Sequence, residues 1–284
     1  MRAIVCKKHG PPEVLQKMEM PTPRPGSTDV LIKIHASPVT SGDRRIRALD
    51  IPIPVLKLPL RMIVRIIGPF VSVLGRYFAG EVAEAGSSVK RFKTGDRVYV
   101  RASKFGGFAE YASIPEDSVI TLMPGNVTYE EAAAIPFGGA CAIHFLKRKA
   151  KIEHGQSVLI YGASGAVGSA AVQVAKIFGA HVTGVCGPDH ISLVESLGAD
   201  QVINYQKQDY LKLNYRYDII FDAVGKISKR RSKKAIHEDG IYVSVFTSGV
   251  AKITVEDLLM LKDLVERGLF KAVIDRCYPL EKIA

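Results

Sequence analysis

The run Tyr161-Gly162-Ala163-Ser164-Gly165-Ala166-Val167-Gly168 restricts the fold of this chain more than any other stretch. The apolar run SVLIYG leads into it, the helical stretch SAAVQVAKIFG follows, and the strand-like HVTGVCG comes next. Strand, glycine turn, helix and strand in that order form the repeating unit of a parallel sheet. Small residues at every third position, where a strand becomes a helix, let backbone N–H groups close on an anion at the positive helix end, as a dinucleotide pyrophosphate requires. An ordinary tight turn could use the same glycines. The apolar strand before them and the helix and second strand after them favour the dinucleotide reading.

The alternation continues downstream. HISLVESLGA reads as a helix stopping at Gly198, DQVINY as a strand, YDIIFDAVG as a strand ending in Gly225 and GIYVSV as another, so the second part of the chain is expected to be an α/β, doubly wound parallel sheet. Glu256 to Gly268 carries apolar residues at 258, 261, 264 and 265, a helical stripe with Thr254 as cap and Gly268 as stop. The first part reads differently. RAIVC, DVLIKIHAS, FAGEVAEAG, DRVYV and GFAEYASI are short β runs broken by Gly and Pro, the pattern of an irregular, mostly β domain.

Composition removes several function classes. With 284 residues, 47% hydrophobic and 24% charged, the chain is long enough for two domains with cores of their own and is neither disordered nor fibrous. MRAIVCKKHG turns to charge after four apolar positions, which predicts a cytoplasmic protein. The apolar segment Ile51 to Leu74 carries Lys57, Arg61, Arg65 and four prolines, so a membrane span is rejected in favour of an amphipathic flap over an apolar pocket. Cys6, Cys141, Cys186 and Cys277 are far apart and form no CxxC pair, which points to reduced thiols rather than a disulfide framework or zinc ribbon. The net charge of +11 is partly local, since KISKRRSKK from Lys226 to Lys234 holds six of the cations. A solvated helix face is favoured there over a nucleic-acid site.

After the second strand of the parallel sheet, Gly187-Pro188-Asp189-His190 should face the adenosine ribose. An acidic side chain there favours a free 2′-hydroxyl and a basic one a 2′-phosphate. Asp189 argues for NAD and a protonated His190 for NADP, and side-chain chemistry leaves both open.

GASGAVGSAAVQVAK, SLGADQVINY, YEEAAAIPFGGACAIHFL and FAGEVAEAGSSVKRFKTGDRVY, in linked order, resemble the zinc-independent, zeta-crystallin-like quinone oxidoreductases of the medium-chain dehydrogenase/reductase superfamily. The resemblance implies a GroES-like catalytic domain over 1–122, a Rossmann domain over 123–271 with the cofactor in the cleft between them, and a return of 272–284 to the first domain. It also implies that Thr40, Asp43 and the loop at Val39 lie near the nicotinamide, with Cys141 beside it. Ala223, Val224 and Gly225 would follow the dinucleotide, and Tyr205 would lie at its adenosine phosphate end. The residues themselves give Thr40 and Asp43 a second reading, a capped turn in VTSGDRR. Many NADPH-using relatives carry Lys or Arg in the loop held here by Pro188-Asp189-His190, so a preference for NADP(H) over NAD(H) rests on Tyr205 and His190.

Zinc-dependent relatives carry a GHE-type motif where this chain has Gly75-Arg76-Tyr77-Phe78, which offers no His or Cys, so no zinc is expected. Hydride transfer from reduced nicotinamide to a quinone, or to an alkene activated by a carbonyl, is the simplest chemistry left. Its proton would come from solvent or a hydroxyl such as Thr40 or Tyr77, and its acceptor would be small and hydrophobic. The alternatives are an NAD(P)-dependent alcohol or aldehyde dehydrogenase, with His9, His35 or His144 as base, and a dinucleotide-sensing module that binds RNA or protein through the basic run. A homodimer through edge strands of the Rossmann sheet is a further expectation. Against the family pattern the chain is short by roughly two dozen residues near Ser244 to Phe246, and by a helix and strand after Ala284.

Overall fold

The computed structural model describes residues 1–50 and 73–283. The expected flap from Ile51 to Leu74 therefore lies outside the described residues except for its end, where Val73 bridges Val5 and Leu74 is buried. The chain separates into two compact units, Met1–Pro136 with the segment from Ile274, and Phe137–Val273.

The first unit is antiparallel β. β1 (Arg2–Cys6) pairs with β2 (Leu15–Glu19), and β3 (Asp29–Ala36), β4 (Tyr77–Ala85), β5 (Arg97–Arg101), β6 (Tyr111–Pro115) and β7 (Val119–Leu122) form a sheet in the order β6-β3-β4-β5-β7. Side chains on a strand alternate between faces, and here Val30 and Ile32, Phe78 and Val82, Val98 and Val100, and Ala112 and Ile114 all turn inward to one cluster. Each of the valine, isoleucine and phenylalanine side chains among them contributes on the order of 2 kcal/mol. Gly80 lets β4 pass β3 closely, because a Cβ there would lie 2.1 Å from the Lys33 carbonyl oxygen. Helix α1 (Ser41–Ala48) follows β3. The chain's last described turns return to β1, where Arg2 bridges Glu110 at 2.6 Å and Glu281 at 2.8 Å.

Helix α2 (Tyr129–Ala142) runs from the first unit into the second and continues as a π-helix, Ile143–Lys149. The second unit is a parallel sheet of β8 (Ser157–Tyr161), β9 (His181–Cys186), β10 (Gln201–Asn204), β11 (Tyr217–Asp222) and β12 (Ile236–Ser244), in the order β10-β9-β8-β11-β12. α3 (Ala166–Ile177), α4 (Ile191–Ser196), α5 (Lys229–Ser232) and α6 (Val255–Glu266) accompany it. Val158, Leu159 and Ile160 are all fully buried, as expected for a central parallel strand covered on both faces.

The strand order reverses between β8 and β11, so the crevice at their carboxyl ends is the ligand position of such a sheet. A full six-stranded dinucleotide fold adds one more strand beyond the fifth. Among the described residues β12 has no partner on its far side, and after it the chain reaches the α6 cap at Thr254 without another strand.

Candidate active site

At the carboxyl end of β8 the chain turns through Gly162, whose φ of 82° is the left-handed conformation glycine adopts without strain. The loop then closes on itself. A Cβ on Gly168 would lie 2.0 Å from the Gly162 carbonyl oxygen, so no larger residue fits there without moving backbone, and one on Gly162 would lie 2.5 Å from a Val224 methyl. Ala163 is buried, while Ser164, Gly165, Ala166 and Val167 retain solvent exposure. Gly138 of α2 supports this end of α3, since a Cβ there would meet the Ala166 carbonyl oxygen at 2.1 Å.

The cap of α3 is Gly165, with no side-chain hydrogen bond to the first-turn amides. A helix leaves the N–H groups of its first turn without intrahelical acceptors and concentrates positive potential there. The bare end, the glycine cradle and the switch point together fit the pyrophosphate of a dinucleotide.

Across the crevice, β11 ends at Asp222, which is fully buried. Its Oδ1 accepts from the backbone N–H of Val224 at 3.2 Å, Gly225 at 2.7 Å and Lys226 at 3.3 Å, and its Oδ2 from Ile227 at 3.1 Å. The Ala223 N–H donates to the Tyr161 carbonyl at 3.0 Å. Ala223, Val224 and Gly225 are thus held against the glycine loop, and Gly225 takes φ 71° beside Phe246. Asp222 was not a sequence candidate. Its only sequence signal is an acid at the last position of a buried strand.

Asp189 and His190 are exposed on a short 3-10 turn after β9. Tyr205 reaches the same place, its hydroxyl 3.6 Å from where a Gly187 Cβ would stand. Cys141 is buried on α2, three residues beyond Gly138.

In the first unit, Thr40 caps α1. Its N–H and hydroxyl both donate to Asp43 Oδ2, at 3.0 and 2.5 Å, and its Oγ accepts from the Asp43 N–H at 3.3 Å. Asp43 Oδ1 accepts from the Gly75 N–H at 3.1 Å. The capping box therefore reaches across to the residues that lead into β4, bringing Thr40, Asp43 and Gly75 together two residues before Tyr77, which is itself buried. Arg76, in the stretch that stands where zinc-dependent relatives carry the GHE-type motif, donates to the Ser103 carbonyl at 2.5 Å, and burial together with nearby Arg101 lowers its pKa. Among the described residues no three His, Cys, Asp or Glu are grouped to hold a metal ion.

The candidate bases of the dehydrogenase alternative are scattered. His9 Nδ1 bonds the Ile46 carbonyl at 2.8 Å, His35 stacks on Tyr129, and His144 is buried in the π-helix, where burial foremost and then Arg148 and Lys149 lower its pKa. The basic run forms only the four residues of α5, capped by Ser228, with Arg231 bridging Asp209 at 3.5 Å. Among the described residues no helix is long and apolar enough to cross a membrane.

A doubly wound sheet with a bare glycine-lined helix end in one unit and an antiparallel β sheet in the other define a dinucleotide-binding protein with a GroES-like domain. Comparison agrees for both halves: the family model for the alcohol dehydrogenase GroES-like domain matches residues 26–124, and that for zinc-binding dehydrogenase matches 166–274. The chloroplast envelope quinone oxidoreductase homolog of Arabidopsis thaliana is 31% identical, over 94% of this chain and 88% of its own. The NADPH-dependent alkenal/one oxidoreductase of the same plant is 31% identical over 309 aligned positions, covering 100% of this chain and 75% of its own. That span exceeds the 284 residues here, so the relative carries positions with no counterpart in this chain. Among solved structures, the quinone oxidoreductase from Coxiella burnetii superposes with a TM-score of 0.88 at 28% identity, covering 100% of this chain and 93% of that one. The chain belongs to the quinone oxidoreductase branch of the medium-chain dehydrogenase/reductase superfamily.

Proposed function

We propose that this protein is an NADPH-dependent reductase that delivers hydride to a quinone or to an alkene conjugated with a carbonyl, without a metal ion. The observation that carries the reading is the uncapped N-terminus of α3 behind the Gly162–Gly168 cradle, at the point where the strand order reverses. The relatives' own names, quinone oxidoreductase and NADPH-dependent alkenal/one oxidoreductase, support the acceptor class.

When bound, the reduced nicotinamide supplies the hydride. The chain's share is to bind and orient. The amides of Ala166, Val167 and Gly168 would hold the pyrophosphate, with Ala223 to Gly225 on the opposite wall and Cys141 on the nicotinamide side. Asp189, His190 and Tyr205 meet the adenosine end, where His190 and the Tyr205 hydroxyl favour a 2′-phosphate and Asp189 opposes it. Thr40, Asp43 and Tyr77 form the catalytic side. The acceptor takes a hydride at one atom and a proton at another, the proton coming from solvent or from the Thr40 or Tyr77 hydroxyl. Arg76 in the stretch of the GHE-type motif supports a zinc-free mechanism.

The catalytic domain is assigned to 1–122 with 272–284 and the cofactor domain to 123–271, supported by the Arg2–Glu281 bridge. A small hydrophobic substrate, a cytoplasmic location and a homodimer through the open edge of β12 belong to the same proposal. Buried Cys6 and Cys186, which form no disulfide, support the reducing compartment.

The test is titration of the purified protein with NADPH and with NADH by nicotinamide fluorescence, followed by addition of a quinone and of an enone. NADPH should bind tighter and be consumed with either acceptor, while metal analysis finds less than stoichiometric zinc. Tighter NADH would move the specificity to Asp189, and absence of both binding and turnover would overturn the reading.

A further inference from the structure

We infer that Asp222 is a positioning residue for the cofactor, its buried carboxylate setting the 223–227 turn against the glycine loop. The inference rests on the proposed function and deepens it.

A fully buried carboxylate is stable only if its lone pairs are filled. Asp222 has no cation within salt-bridge distance among the described residues, and its charge is met by four successive backbone N–H groups, from Val224 to Ile227. The Tyr242 hydroxyl, on the neighbouring strand β12, lies 3.3 Å from Oδ2 and 2.8 Å from the Ile227 carbonyl oxygen. Burial foremost, and then the Asp222 charge, push the Tyr242 pKa up to about 12, so it stays a proton donor to this pair.

Four amides converging on one side chain leave the turn few alternative conformations, and three consequences reach the site. Val224 is placed over Gly162, with its methyl 2.5 Å from a Cβ position there; Ala223 is tied to the end of β8; and Gly225 is set against Phe246. The Asp222 carbonyl also accepts from the Val245 N–H at 3.1 Å, which joins the turn to the end of β12. Asp222 touches no reacting atom in this arrangement, so its effect should appear in cofactor affinity rather than in the chemical step.

Asp222→Asn keeps the shape but offers one acceptor oxygen instead of two and turns an NH2 group toward donors. NADPH affinity should fall about tenfold or more, with kcat at saturating NADPH within about threefold of the parent. Asp218→Asn is the comparison: Asp218 sits near the other end of the same strand and accepts from the Ser157 N–H at 2.8 Å and hydroxyl at 2.7 Å, so it loosens β11 without touching the turn. Tyr242→Phe removes only the hydroxyl and should weaken NADPH about two- to fivefold, which keeps the test open if Asp222→Asn does not fold. Unchanged NADPH affinity in folded Asp222→Asn, or equal weakening in Asp218→Asn, would overturn the inference. So would unchanged affinity in Tyr242→Phe if that variant has to stand in. A parent protein that binds no NADPH overturns the proposed function itself, an outcome separate from a parent that binds and a variant that binds equally well.

Discussion

The N-termini of α1 and α3 belong to helices of similar sequence appeal, and both sit where the sequence places candidate site residues, yet they are built for opposite ends. At α1 side chains close the cap: Thr40 and Asp43 satisfy each other, and Asp43 also takes the Gly75 amide. At α3 the cap is a glycine with no side chain to offer, and the first-turn amides face exposed backbone at Gly165 and Ala166. A glycine cap in place of Ser, Thr, Asn or Asp costs roughly a few tenths of a kcal/mol, so the end stays bare at little loss of stability. The glycine cradle around that end gives the bare amides a ligand to bind. α6 repeats the α1 solution, Asp257 accepting from the Thr254 N–H at 2.9 Å and hydroxyl at 3.3 Å.

The contrast is broken most directly at Gly168. An alanine there would set a Cβ 2.0 Å from the Gly162 carbonyl oxygen and 2.9 Å from the Ala163 Cα, so the loop must shift and its amides with it. Gly168→Ala should weaken NADPH about a hundredfold, roughly 2.8 kcal/mol, in an equilibrium titration. A variant that binds as tightly as the parent would show that the bare helix end is not the anion site.

Asp43→Ala probes the closed end. Removing the carboxylate leaves the Thr40 and Gly75 donors buried without an acceptor, at about 2–4 kcal/mol, read as a fall in Tm of roughly 5–10 °C. NADPH affinity should change far less than in Gly168→Ala, by under about tenfold. If Asp43→Ala instead keeps its Tm and loses turnover, the pair serves the reaction and its capping bonds carry little of the stability. Thr254→Ala, at the third helix end, should cost about 1 kcal/mol in chemical denaturation and leave cofactor binding alone.

These helix ends also mark how far the sequence could be read. Glycines at 162, 165 and 168 are visible because the feature they encode is the absence of side chains, and β3 to β5 are visible as short apolar runs, buried on both faces at Val30 and Leu31, Phe78 and Ala79, and Val98 and Tyr99. The Thr40–Asp43 box has a spacing that announces it. Asp222 has none, since its partners are backbone amides carried by any residue, and Tyr242 reaches it only through the pairing of β11 with β12. The π-helix after α2 is equally silent in IHFLKRK, which reads as ordinary helix. The open edge at β12 follows from a strand that the short link between Ser244 and Thr254 has no residues to form. Nor does the basic run make a long solvated helix, because the chain turns into β12 four residues after Ser232.

The smallest effect belongs to His144 in that π-helix. Neither ring nitrogen has a hydrogen-bond partner among the described residues, and burial foremost, then Arg148 and Lys149, lower its pKa, with Asp257 pulling the other way. In the unfolded chain the imidazole takes a proton near its ordinary value of 6.5, whereas the folded protein resists it. Between the lowered folded value and 6.5 the unfolded state therefore binds more protons, stability rises with pH, and acidification takes it away. From about pH 7.5 to about pH 6.0 this single group can remove at most about 0.8 kcal/mol. His144→Leu should flatten the pH dependence of the denaturation midpoint by up to that amount, whatever it does to stability at either pH alone. An unchanged slope would mean that His144 protonates equally in both states, as it would if a proton acceptor met its ring in the folded protein.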